Sequence, residues 1–203
     1  LSGATLTSTN LRGANLRWAY LRGANLIGSD ITGADFDVEN ISEANLSGLD
    51  FKDVTMPSGG GVYGTNYSRA NLTGKYITGC KECNFTRADL SKASFGSIFK
   101  NSTYCKNCIF DGADLSGANL RRVNLEGSSF NGANLSGANL YEANLKGVSF
   151  RGANLSSVNM IDTYISKTNF DGAIFCETEM SWSFFQPLKN LNLHFNKNRD
   201  CKK

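Results

Sequence analysis

The chain has 203 residues, a near-balanced 21 Lys and Arg against 18 Asp and Glu, and 40% hydrophobic residues. That length suits one domain or one uninterrupted array, and a net charge of +3 excludes both a strongly acidic shell and the heavily basic composition of a dedicated nucleic-acid binder. No apolar run approaches the ~18 residues needed to span a bilayer, while 21 Gly against 2 Pro is unusual for a globular fold.

From the first residue, large apolar side chains recur every five positions: Leu1, Leu6, Leu11, Leu16, Leu21, Leu26, Ile31, Phe36, Ile41, Leu46, Phe51 and Met56. A period of five fits no α-helix, because at 100° per residue successive members would circle the axis. A straight strand fails as well, since an odd step swaps faces each time. The pattern works if the chain runs extended for about three residues and then turns, with a small residue two positions before each large one also pointing inward and Asn or Asp between them pointing out. Glu39 falls in one of the small inward slots, which predicts a local bulge or a carboxylate near solvent. The array starts without a cap, which suggests further residues upstream.

The first register ends at Pro57-Ser58-Gly59-Gly60-Gly61, followed by Val62 and Tyr63, and resumes shifted at Tyr67, Leu72 and Ile77. Residues 57–66 are therefore expected to leave the rod as a loop, either a tolerated insertion or an interaction loop, because loops on rigid scaffolds carry recognition disproportionately. Irregular stretches follow at 78–84 and 96–104. In the second, Ile98 and Lys100 would take inward slots; an ammonium does not belong on a dry axis, so this pentapeptide is expected to bulge outward and let Phe85 join the column of Phe110.

The same region holds two similar segments, Cys80-Lys81-Glu82-Cys83 and Cys105-Lys106-Asn107-Cys108. Paired C-x-x-C segments suggest a zinc site, but the repeat frame puts these residues in inward slots, where buried Cys packs as a small hydrophobe. Core packing is the favoured reading, with metal ligation by all four and a disulfide between Cys83 and Cys108, stacked in neighbouring coils, as alternatives. Cys176 and Cys201 lie outside the core pattern and could pair.

From Phe110 to Phe185 every fifth residue is large and apolar. Phe recurs at 110, 130, 150 and 170, and the residue two before each is Cys108, Ser128, Val148 or Thr168 rather than Ala. One side in four is thus distinct, which predicts a four-sided coil of twenty residues rising about 4.8 Å per turn. From Pro187 the period stops, and Leu188, Leu191 and Phe195 have the spacing of a short helix covering the last coil.

Units such as Ala113-Asp114-Leu115-Ser116-Gly117 and Ala118-Asn119-Leu120-Arg121-Arg122 resemble the A(D/N)LXX signature of the pentapeptide-repeat family. The resemblance implies an all-β, right-handed quadrilateral β-helix over residues 1–186, followed by a C-terminal helical cap and basic tail over 187–203. It also implies that the C-terminal end could mediate a homodimer, and that some members resemble DNA and bind gyrase. Compartments represented in the family are bacterial cytoplasm, slightly favoured here, and periplasm or thylakoid lumen.

Charge is unevenly spread: residues 1–56 sum to −3, 67–110 to +5, 111–186 to −3 and 187–203 to +4. The +5 block departs from a DNA-like surface. His194 is the only histidine, and no catalytic triad, phosphate loop or dinucleotide fingerprint is present. The expectation is a non-catalytic interaction module without a cofactor, with an unknown protein partner, no membrane role and little scope for nucleic acid. A thiol redox or zinc-binding protein is the other alternative.

Overall fold

The computed structural model describes residues 1–56, 62–96 and 104–181. The segment Pro57–Gly61, the pentapeptide holding Ile98 and Lys100, and the expected helical cap with His194 and Cys201 lie outside the described residues. The rest is a four-sided parallel coil, held by single β-bridges such as Thr5 to Asn25, Asp114 to Asn134 and Asn134 to Asn154. Six two-residue strands pair in parallel across coils: β1 (Val62–Tyr63) with β3 (Cys80–Lys81), β2 (Tyr76–Ile77) with β4 (Ser94–Phe95), and β5 (Asn159–Met160) with β6 (Glu179–Met180). The described residues contain no helix.

The repeat 118–122 shows why five residues suffice. Ala118 N–H donates to Leu115 O (3.0 Å) and closes the preceding corner; Asn119 N–H donates to Ala93 O in the coil below (2.8 Å); Leu120 and Arg122 N–H donate to Asn139 O and Tyr141 O in the coil above (2.8 and 2.9 Å). The remaining N–H, that of Arg121, is taken by the Asn119 side-chain oxygen (3.2 Å). All five donors are thereby satisfied. The outward Asn or Asp is a turn cap as well as a polar surface residue.

Most corners place a left-handed residue two positions after the large one. Gly137 (φ 68°) adopts it without strain, whereas Arg122 and Glu142 hold the same conformation at φ 60° and 55°.

The interior is one continuous set of apolar columns. Phe110, Phe130, Phe150 and Phe170 stack on a single wall with successive centroid distances of 4.5, 5.1 and 5.5 Å. Phe85 and Tyr67 extend the column at 4.9 and 5.2 Å. The slots beside this column avoid Ala where they meet backbone carbonyls: Thr65 Oγ1 donates to Ile41 O (2.7 Å) and Thr168 Oγ1 to Leu145 O (2.8 Å). Each hydroxyl, buried in Thr65 and partly buried in Thr168, thus has its partner.

One expectation changes: residues 62–66 of the expected loop belong to the coil, because Val62 and Tyr63 form β1, Thr65 is buried and Asn66 bridges Asn45, 21 residues below it. The segment therefore lengthens its coil by a single residue. At 78–84 the coil is short instead: Val62 pairs with Cys80 and Asn66 with Asn84. The next coil is long, with Asn84 paired to Ile109 and Ser94 to Asn119, but Tyr104 to Asn124 already restores the twenty-residue step. Five residues are therefore in excess between Phe95 and Tyr104. At Glu39 the expected bulge is present: Val38 takes the slot at 2% exposure and Glu39 is exposed, because a charged carboxylate gains nothing on the dry axis.

Candidate functional site: buried cysteines and an exposed tyrosine face

All four C-x-x-C sulfurs lie in the interior, each residue at most 2% exposed. Cys80 and Cys83 are the first and fourth residues of a corner turn and form a disulfide, with Cα atoms 5.9 Å apart. Cys105 and Cys108 occupy the matching turn of the next coil as free thiols. Core packing, the favoured reading, thus holds for Cys105 and Cys108, while the disulfide that forms is not the alternative between Cys83 and Cys108 but one within a coil, since a turn brings its first and fourth residues within disulfide reach. Cys108 Sγ donates to Cys80 O at 3.2 Å. The hydrogen bond to Cys108, followed by burial, pushes the Cys105 thiol well above its ordinary pKa.

With Cys80 and Cys83 bonded to each other, the four-thiolate metal set is not available in this state, and among the described residues no group of three or more His, Cys, Asp and Glu could hold a metal ion. Cys176 is disulfide-bonded. Its expected partner, Cys201, lies outside the described residues, as do Pro57, Ser58, Gly59, Gly60 and Gly61. Among the described residues no helix is long and apolar enough to cross a membrane.

The outer surface has features that the sequence reading missed. One wall carries Tyr20, Tyr104 and Tyr164 in its outward slots, exposed by 57%, 48% and 56%. Bridges join Tyr20 to Asn40 and Tyr104 through Asn124 and Asn144 to Tyr164, and the bond from Glu43 N–H to Tyr63 O, the β1–β3 pair and the bond from Cys80 N–H to Tyr104 O carry the same wall between them. The repeat frame contained the signal, because each Tyr directly precedes an inward residue. On the opposite wall Asp50, Asp89 and Asp114 share one outward column with Asn71.

Ion pairs join successive coils. Lys106 and Lys146 each lie 2.9 Å from a different oxygen of Glu126, and these two hydrogen bonds lower the Glu126 carboxyl to about 2. Lys75 sits in an inward slot yet sends its ammonium to Lys52 O (2.8 Å) and Val54 O (2.9 Å), beside the break at 57–61. A shallow groove of about 580 Å³ follows one corner, where Gly28 and Gly48 lack side chains and Arg69 and Arg87 stand beside them.

A four-sided coil with a capped turn every five residues defines a pentapeptide-repeat solenoid. The family model for pentapeptide repeats matches eight copies, over residues 1–37 and, in overlapping segments, 101–186, which is more than half of the chain. The chain belongs to the pentapeptide-repeat family.

Among solved structures it is similar to HetL, a pentapeptide repeat protein involved in heterocyst differentiation regulation from the cyanobacterium Nostoc sp. strain PCC 7120, with 23% identity, 85% of this chain and 90% of that chain covered, and a TM-score of 0.35. A pentapeptide repeat protein from the Arabidopsis thaliana thylakoid lumen is 26% identical over 58% of this chain and 73% of that one, with a TM-score of 0.41. Full-length QnrB1, a plasmid-mediated fluoroquinolone resistance protein, is 18% identical over 92% and 98%, with a TM-score of 0.39. No curated protein is similar enough in sequence to be matched.

Proposed function

We propose that the protein is a non-catalytic interaction module that binds a protein partner through the wall bearing Tyr20, Tyr104 and Tyr164. The observation that carries this reading is the exposure of all three rings, between 48% and 57%, on a scaffold whose backbone donors are consumed by the coil ladder. Tyr offers large contact area at low entropy cost and is enriched in protein interfaces. Seven coil steps separate Tyr20 from Tyr164, which gives a flat strip about 34 Å long. A rigid strip of that kind loses little conformational entropy on docking.

A second reading, a DNA-like surface for a topoisomerase such as gyrase, is favoured by the carboxylate column Asp50, Asp89 and Asp114 on the opposite wall. The +5 charge of residues 67–110 opposes it. The two walls permit a direct test. Affinity capture with the full chain is compared for a Tyr20→Ser, Tyr104→Ser, Tyr164→Ser variant and an Asp50→Asn, Asp89→Asn, Asp114→Asn variant, alongside a gyrase supercoiling assay. Loss of a specific partner only in the Tyr variant supports the first reading. Gyrase inhibition abolished only in the Asp variant supports the second and overturns the first.

A further inference from the structure

The two cysteine turns are stacked copies of each other. Glu82 and Asn107 hold the same left-handed corner position at φ 58° and 54°. Glu82 N–H donates to Lys106 O (2.9 Å), Cys80 N–H to Tyr104 O (2.6 Å) and Ile109 N–H to Cys83 O (3.0 Å). Neighbouring coils lie about 4.8 Å apart, so Cys83 and Cys108 fall within the roughly 4.4–6.8 Å Cα range that permits a disulfide. The 5.9 Å Cα spacing of Cys80 and Cys83 falls within it too. One disulfide and one dithiol are therefore packed together, with Cys108 Sγ 3.2 Å from the Cys80 carbonyl oxygen.

We propose that these four sulfurs form an internal thiol–disulfide exchange centre, in which one disulfide moves between within-coil and between-coil positions. In the first step Cys108 loses its proton and its thiolate attacks Cys83 Sγ. The Cys80–Cys83 bond breaks, a Cys83–Cys108 bond forms, and the departing Cys80 thiolate takes up a proton. In the second step the Cys105 thiolate attacks Cys108 Sγ, forming Cys105–Cys108 and releasing Cys83, which is protonated in turn. Each step replaces one disulfide and one thiol by another disulfide and thiol, so no external oxidant or reductant is consumed. The between-coil bond would tie together the two coils on which the twenty-residue step fails most, the short one holding Cys80 and the long one that follows. The hydrogen bond to Cys108 and burial keep the Cys105 thiol protonated at neutral pH, so exchange should accelerate as thiolate forms.

The test uses the full chain, incubated folded at pH 6.5 and at pH 9, then quenched in acid, denatured and alkylated before tryptic mapping. Cleavage after Lys81, Arg87 and Lys106 puts each of the four cysteines on its own peptide. The expected result is Cys80–Cys83 alone at early times, with Cys83–Cys108 and Cys105–Cys108 appearing at least tenfold faster at pH 9. A Cys80→Ser chain oxidised with glutathione disulfide should yield both Cys83–Cys108 and Cys105–Cys108. The proposal is overturned if only Cys80–Cys83 is recovered at either pH, if exchange occurs only in denaturant, or if the variant never forms Cys83–Cys108. Four free thiols with one equivalent of bound zinc would overturn it as well.

Discussion

Tyr67 and Phe85 lie ring on ring, with planes 2° apart and centroids 5.2 Å apart, although the coil joining them is two residues short of twenty. Phe85 and Phe110 stack just as closely, at 4.9 Å and 7°, across a coil with five residues too many. The column keeps its register through both irregularities. Surplus and deficit stay out of the column because moving a buried ring off the axis would sacrifice close packing on both sides.

Phe130 is fully buried between Phe110 and Phe150. Phe130→Ala should lower stability by about 3–5 kcal/mol, and Phe130→Leu by less, because the larger cavity leaves more contacts unmade. Urea unfolding checks both. A loss below about 1 kcal/mol for the Ala variant would show that the ring is not in a closed column.

Backbone strain alone should set the cost of filling a corner glycine. At Gly137 an added Cβ meets nothing within 4 Å, so Gly137→Ala should cost about 1–2 kcal/mol, from the left-handed φ of 68° alone. At Gly127 the added Cβ meets only the side-chain end of the exposed Asn107, which can turn aside. Gly127→Ala should therefore lower the melting temperature about as much as Gly137→Ala does, and a much larger shift would show that Asn107 is held in place.

Acid should weaken the cross-coil ion pairs. Glu126 is held at about 2, against an ordinary 4.5, by hydrogen bonds from Lys106 and Lys146. A carboxyl whose folded pKa is depressed contributes stability that is present above its unfolded pKa and is lost as pH falls through the folded one. The contribution should therefore disappear between about pH 4.5 and 2. Glu126→Gln should flatten this part of the melting-temperature profile, and high salt should do so in part because the group is half-exposed. An unchanged acid limb in the variant would count against the linkage.

The Asn ladder should be cooperative. Asn134 Oδ1 accepts from Ser136 N–H (3.2 Å) and from Asn154 Nδ2 (3.2 Å), while its own Nδ2 donates to Asp114 Oδ1 (3.1 Å). Asn134→Ala should cost about 1–3 kcal/mol and speed hydrogen exchange at the Ser136 amide. Protection of that amide left unchanged would show that the side chain is not its cap.

Some of this was legible before any coordinates. The step from Leu to Leu identified the inward column, and the spacing of Phe110, Phe130, Phe150 and Phe170 identified four sides to a coil. The frame also assigned inward slots to Cys80, Cys83, Cys105 and Cys108, all of which are buried. Other features were harder to read. Which cysteine bonds to which depends on the corner turn: a within-coil pair and a between-coil pair both satisfy the spacing, and Cys80 and Cys83 form the former. Lys75 looks like an error in an inward slot until the carbonyls of Lys52 and Val54 come within its reach.

The sequence alone determined the solenoid, because a period of five is compatible with neither helix nor straight strand and burying one side chain per repeat leaves only a coil. The tertiary structure decided where the irregular stretches rejoin that coil, how the sulfurs pair, and which outward residues share a wall. Those outcomes depend on contacts between residues about twenty positions apart, whose register shifts whenever a coil gains or loses a residue, and no local pattern carries that count.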